Sequence, residues 1–148
     1  MDPTSSALKA FSALCELSTS DLSLLSGYLE PQRFAIGLRI TQSGCEAEGL
    51  LLVTEGEVRV DASGRSETRV APLALGAYSL VQVGSSLATV TAETPCYAWR
   101  LDRSGFRRLA DDEPRVACRL LEGVLAESAA LGRRLIQATE ECGMSALG

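Results

Sequence analysis

The chain has 148 residues, of which 46% are hydrophobic and 22% charged, with a formal net charge of −5 and no histidine. That length favours one domain with a real core, and the composition is that of a soluble globular chain, not a disordered one. The acidic balance argues against a duplex-binding surface, which needs a basic face. The lack of histidine excludes a His-based metal site, a Ser-His-Asp triad and a Cys-His dyad. Lys9, near the start, is the only lysine, which leaves little for a Ser-Lys nucleophile. No enzymatic activity is expected, and no metal or obligatory cofactor.

No apolar run approaches the roughly 18 residues of a membrane helix. The start, MDPTSSALKAF, lacks the basic-then-apolar layout of a secretory signal, so the expected location is cytoplasmic. Cys15, Cys45, Cys96, Cys118 and Cys142 are widely spaced with no C-x-x-C pair. They are expected to be reduced thiols acting as small hydrophobes. Arginines gather at Arg100, Arg103, Arg107 and Arg108, and again at Arg133 and Arg134, each group near Asp or Glu. A solvated mixed-charge surface is the expectation there.

The elements follow in order. Residues 6–31 read as two short helices. Phe11, Leu14 and Leu17 share one face, and Leu22, Leu25 and Leu29 another. Ser18 with Asp21 forms an N-cap signal for the second helix, and Gly27 and Pro31 close it. Residues 32–101 read as strands. Phe34, Ile36, Leu38 and Ile40 alternate, Ser43-Gly44 is a turn, and Leu50–Val53 is a buried run. Glu55-Gly56 is a turn, Val58 and Val60 alternate, and Ser63-Gly64 is a hairpin tip. Arg69–Leu75 is strand-like, with Pro72 marking an edge or a bend. Leu87–Ala92 alternates, and Pro95–Leu101 is the last strand, carrying Tyr97 and Trp99. Many short strands at roughly ten-residue spacing suggest a β-roll, barrel or sandwich.

Residues 102–142 return to a helical period. Asp102 or Ser104 caps a short helix bearing Phe106 and Leu109, and Pro114 opens a longer one running to about Glu141. Val116, Leu120, Val124, Leu131 and Leu135 form its apolar stripe, widened by Leu121 and Leu125. A small barrel cannot cover so long a helix, so part of the stripe is expected to meet a second copy or a protein partner. The tail 143–148 is expected to fray.

Between Gly76 and Ala92 lies GAYSLVQVGSSLATVTA. A glycine-flanked turn beside a small-residue strand lets backbone N–H groups approach an anion. It can equally be an ordinary loop between two strands.

Taken together, the chain resembles the cyclic-nucleotide-binding domain family, which includes catabolite-activator-like regulators, kinase regulatory subunits, and modules appended to channels and transporters. Phe11, Leu14, Leu17-Ser18, Asp21-Leu22 and Leu25 resemble its leading helices. Phe34, Gly37, Ile40 and Gly44, then Leu52-Val53, Gly56, Val58 and Val60, are similar to its glycine-punctuated hairpins. Arg100-Leu101, Phe106, Leu109 and Pro114 resemble its junction into the C-terminal helices. The resemblance implies a single domain: a double-stranded β-helix (β-roll or jelly roll), mainly β, with short N-terminal helices before it and a long C-terminal helix after it.

It also implies a phosphate-binding cassette, in which a Gly-Glu pair takes the ribose hydroxyl and an arginine takes the cyclic phosphate. Aligned without gaps, Gly76 matches the glycine, Ala77 the glutamate, Ser86 the arginine and Ala88 the alanine that follows it. An alternative alignment uses Leu73 and Gly76 as the lead-in and places Leu80-Val81 at the Gly-Glu position. Neither alignment retains a charged contact. Such charge-assisted bonds contribute about 1.5–3 kcal/mol each, so losing two weakens binding by about two to four orders of magnitude.

The candidate ligand-binding residues are accordingly those of a degenerate cassette: Gly76, Ala77, Tyr78, Ser79, Leu80, Ser85, Ser86, Leu87, Ala88 and Thr89. Three readings stay open. The first is a regulatory or interaction module with weak or lost cAMP and cGMP binding. The second is a true sensor, of cyclic nucleotide or another small ligand, using the Ser85, Ser86 and Thr89 hydroxyls and backbone N–H groups. The third is the ligand-binding half of a larger transcription regulator or transporter. In no case is nucleic acid bound directly by these residues, and no membrane segment is expected.

Overall fold

The computed structural model describes residues 5–11, 14, 16–46, 49–76, 80 and 88–147. Two short helices, α1 (Ser5–Leu8) and α2 (Thr19–Ser26), lead into eight strands. The strands are β1 (Glu30–Phe34), β2 (Arg39–Thr41), β3 (Leu50–Glu55), β4 (Glu57–Ala62), β5 (Arg65–Val70), β6 (Leu73–Leu75), β7 (Thr89–Ala92) and β8 (Cys96–Leu101). Helices α3 (Arg103–Asp112) and α4 (Pro114–Leu147) complete the chain.

The strands form two antiparallel four-stranded sheets, in the orders β1-β8-β3-β6 and β2-β7-β4-β5. Every connection between consecutive strands crosses from one sheet to the other, except the β4–β5 hairpin. That alternation makes the β-roll. The hairpin tip at Ser63 (φ +52°) and Gly64 (φ +76°) is a two-residue turn with both residues left-handed, matching the twist of the strands it joins.

Two glycines are required by close approach. A Cβ on Gly56 (φ +113°) would lie 2.6 Å from Cys96 Sγ and 2.8 Å from Pro95 O, where β3 turns into β4. A Cβ on Gly49 (φ +113°) would lie 2.4 Å from Leu101 O, where the chain enters β3 beside the end of β8. Only glycine accepts both the backbone conformation and the missing space.

The sheet containing β3 is packed on both faces, which explains the unbroken buried run Leu50–Val53. Leu50, Leu52 and Leu101 turn toward the helices and join Leu14, Leu22, Leu25, Phe106, Leu109 and Leu120. Leu51, Val53, Cys96 and Ala98 turn inward to meet Val58, Val90 and Ala92 of the second sheet. Strand β5 is an edge, exposed along its whole length, and its arginines and glutamate blunt it against edge-to-edge pairing.

Some expectations need correction. The run Phe34–Ile40 is not one strand: the chain turns at Ile36 and Gly37 (φ +84°) and changes sheet, leaving Ile36 and Leu38 exposed. In Arg69–Leu75 the bend marked by Pro72 is present: Ala71-Pro72 carries the chain from β5 to β6 in the other sheet. The final helix continues to Leu147, past the expected end near Glu141 and through the tail expected to fray. The roll also begins slightly earlier than residue 32, because Glu30 and Pro31 already pair with Arg100 and Trp99.

The capping signals hold. Ser18 and Asp21 form a reciprocal capping box on α2, and Gly27 is its C-cap. Asp102 caps α3 through a 2.6 Å bond from Gly105 N to its Oδ1. Along α4, Val116, Ala117 and Leu120 are buried, Leu121 and Val124 half-buried, and Leu125 and Ile136 exposed. The side chains of Leu131 and Leu135 fall outside the described residues. No helix among the described residues is long and apolar enough to cross a membrane.

Candidate functional site

Between the two sheets lies a cavity of about 360 Å3. Pockets for small ligands typically span about 300–1,000 Å3. Strand alternation explains its lining. On β8 the inward positions are Cys96, Ala98 and Arg100, and the first two close the inter-sheet core while the third reaches the cavity. On β1 the matching positions Gln32 and Phe34 line it, as do Leu51 of β3 and Leu75 of β6. The opposite wall is β2 and the turn after it, with Arg39, Ile40, Thr41 and Gln42, then Cys45 and Glu46. Among the described residues, Gly49 and Gly76 also line it.

The lining is mixed. Phe34, Ile40, Leu51 and Leu75 give an apolar surface, and Gln32, Thr41 and Gln42 add hydrogen-bonding groups. Among the described residues, the charged members are Arg39, Arg100 and Glu46, on a chain whose overall charge is negative. Arg100 Nη2 lies 3.8 Å from Glu30 Oε2, its cross-strand neighbour on β1. Glu46 Oε1 lies 3.7 Å from Arg103 Nη2, at the start of α3. No group of three or more His, Cys, Asp or Glu side chains suited to a metal ion occurs among the described residues.

The sequence-predicted site residues separate. Gly76 lines the cavity, where its φ is +72°. Leu80, 2% exposed, packs into the helix-facing core with Leu14, Phe106 and Leu120 and does not fill the cavity. Ala88 and Thr89 serve the sheet: Thr41 Oγ1 donates to Ala88 O at 3.2 Å, and Thr89 Oγ1 accepts from Ser43 N at 3.0 Å. The Thr89 hydroxyl therefore ties β7 to the turn after β2. Ala77, Tyr78, Ser79, Ser85, Ser86 and Leu87 lie outside the described residues, as does Val81.

Arg100 is the residue that composition-based reading misplaces. Grouped with Arg103, Arg107 and Arg108, it reads as part of a solvated surface, whereas it is a half-buried inward residue of β8. The usable signal was its two-residue spacing from Cys96 and Ala98. The cysteines also divide. Cys96 is buried, with burial pushing its thiol pKa up, while Cys45 and Cys118 are exposed and do not act as core hydrophobes.

The architecture is a two-sheet roll that crosses between sheets at almost every connection, flanked by helices and bordered by a mixed-polarity cavity. The sequence profile of the cyclic nucleotide-binding domain matches residues 31–113, more than half of the chain. The chain therefore belongs to the cyclic nucleotide-binding domain family.

Solved structures agree on the fold. The N-terminal domain of a transcriptional regulator from Streptomyces coelicolor A3(2) superposes with a TM-score of 0.73 at 24% identity, covering 87% of this chain and 94% of that one. A cyclic nucleotide-binding domain from Methylobacillus flagellatus KT gives 0.74 at 16% identity, covering 95% and 85%. The catabolite activator protein of Thermus thermophilus gives 0.67 at 26% identity, covering 90% of this chain and 62% of that one. No curated protein matches the sequence.

Proposed function

We propose that this chain is a non-catalytic regulatory or interaction module in which recognition of cAMP and cGMP is weakened or lost. The observation that carries this is the sequence of its cassette: aligned without gaps it has Ala77 at the glutamate and Ser86 at the arginine, and the alternative alignment with Leu80-Val81 at the Gly-Glu position retains neither charge. A cyclic phosphate without that arginine loses a charge-assisted pair, and the ribose loses its acceptor. Domains of this family are typically regulatory, which supports a cytoplasmic signalling role for the single domain. Output would pass through α4, whose exposed Leu125 and Ile136 offer apolar surface to a second copy or a protein partner. Calorimetric titration of cAMP and cGMP tests the nucleotide part of the reading: heats indicating micromolar or tighter binding would sink it. Sedimentation velocity tests the partner part.

A second reading is favoured by the cavity itself. Leu80 packs in the helix-facing core and not in the cavity, and the mixed lining among the described residues suits a small ligand other than a cyclic nucleotide held in the usual way. A sensor of this kind would be stabilised by its ligand, since binding to the native state raises apparent stability. The module would then serve as the ligand-binding part of a larger regulator or transporter, or act alone.

A further inference from the structure

We infer that the turn joining β1 to β2 is a shallow membrane-docking tip, which lays Ile36 and Leu38 into the surface of an anionic bilayer between Arg33 and Arg39. The turn, residues 35–38, links the edge strand of one sheet to the edge strand of the other, so it stands at one outer edge of the roll. Single apolar residues scattered over a surface are ordinary. Here two aliphatic side chains share one tip: Ile36 is 68% exposed, Leu38 is 49% exposed, and no residue from 35 to 38 is buried. The backbone holds the tip in place. Leu38 N donates to Ala35 O at 3.1 Å, Gly37 N to Ala92 O at 2.8 Å, and Ala92 N to Leu38 O at 2.9 Å. These bonds satisfy peptide groups that would otherwise cost free energy on leaving water, and they fix the turn against β7 with both aliphatic side chains outside the core.

The charges around the tip select the partner. Arg33 and Arg39 bracket the turn, both exposed, and neither is in an ion pair among the described residues. Arg33 lies over the ring of Tyr97, 5.5 Å from its centroid, and that ring is itself exposed. Guanidiniums that pair with headgroup phosphates, beside an aromatic ring of the kind enriched at the membrane–water interface, are the groups an anionic lipid surface accepts. The carboxylates at this end are set back. Glu55 and Glu57 flank the β3–β4 turn, and each of those strands is two places in from the edge. At ordinary strand spacing that is about 10 Å, beyond the Debye length of about 8 Å at physiological salt. Glu93 is nearer, and Arg59 lies 4.0 Å from it. Docking of this kind lies on the bilayer without spanning it, and it is independent of Ala77 and Ser86.

The test sediments the full chain with vesicles of phosphatidylcholine containing phosphatidylserine, and with vesicles of phosphatidylcholine alone. Binding is expected to the anionic vesicles, to be weaker on the neutral ones, and to fall as salt is raised. Ile36→Ser/Leu38→Ser is expected to weaken it at least about tenfold. Arg33→Gln and Arg39→Gln are each expected to weaken it about fivefold. Val70→Ser, an exposed apolar position on β5 at the opposite edge of the second sheet, is expected to leave it unchanged. Thermal unfolding confirms that each variant is folded, and Ile36→Ser alone carries the aliphatic part if the double variant is not. No binding to anionic vesicles overturns the inference. So does wild-type binding by the folded aliphatic variant, or equal binding to neutral vesicles. Self-association that the aliphatic variant abolishes, without vesicle binding by wild type, would also overturn it by assigning the tip to a second copy.

Discussion

Arg119 Nη1 donates to Asp21 Oδ2 at 2.8 Å, joining residues 98 positions apart and pinning α4 to the first turn of α2. The same carboxylate accepts from Ser18 N at 3.1 Å, while Asp21 N donates to Ser18 Oγ at 3.2 Å. One acidic side chain thus closes the capping box and anchors the long helix.

These contacts set a pH dependence. The Ser18 backbone N–H, and then Arg119, hold the Asp21 carboxyl below its ordinary value of 3.8, against an opposing push from burial. A carboxyl whose folded pKa is depressed contributes stability above its unfolded pKa and loses it as pH falls through the folded one. Chemical denaturation should therefore show wild type losing an increment of stability below about pH 4 that Asp21→Asn lacks. At neutral pH, Arg119→Ala is expected to cost about 1 kcal/mol. Asp21→Ala is expected to cost about 2, because the cap is lost as well. The double variant should be less destabilised than the sum, since both changes remove one shared bond.

Packing along α4 predicts a contrast within a single turn and a half. Leu120 is fully buried and Leu125 is 67% exposed. Leu120→Ala should cost about 2–5 kcal/mol, and Leu125→Ala less than about 0.5 in the monomer. Leu80→Ala belongs with Leu120→Ala, since Leu80 packs in the same core. Thermal unfolding at low protein concentration checks all three. A concentration-dependent loss of stability in Leu125→Ala alone would identify that face as self-associating.

Thiol accessibility gives an independent check of the roll. Cys45 and Cys118 should react rapidly with an aromatic disulfide reagent. Cys96, buried against the β3–β4 turn with its pKa raised by desolvation, should react only on unfolding. Gly56→Ala would push a methyl into Cys96 Sγ, so it should both destabilise the fold and expose this thiol. Cys45→Ser and Cys118→Ser should each remove one fast-reacting group.

What the chain reveals before folding depends on the range of the interaction. Ser18, Asp21 and Asp102 act within one helical turn, and their capping roles were readable from spacing. The Ser63-Gly64 hairpin was readable for the same reason. The bend at Pro72 was readable from the proline, but the sheet change at Gly37 was not, because the alternation of Phe34, Ile36, Leu38 and Ile40 continues through the turn as though the strand did. Which sheet a strand joins is decided by pairing partners far away in sequence. Arg100 was hidden by its charge: a guanidinium beside other arginines reads as surface, and only β8's pairing with β1 and β3 turns it inward. Of the described candidate residues, Gly76 lines the cavity and Thr89 accepts a hydrogen bond from Ser43 N that ties β7 to the turn after β2.

The central claim concerns two cassette positions, and calorimetry of cAMP binding to wild type and to Ala77→Glu/Ser86→Arg tests it most directly. Wild type is expected to bind more weakly than micromolar. Restoring the glutamate and arginine is expected to strengthen binding by about two to four orders of magnitude. Micromolar or tighter binding by wild type, with no gain in the double variant, would contradict the claim.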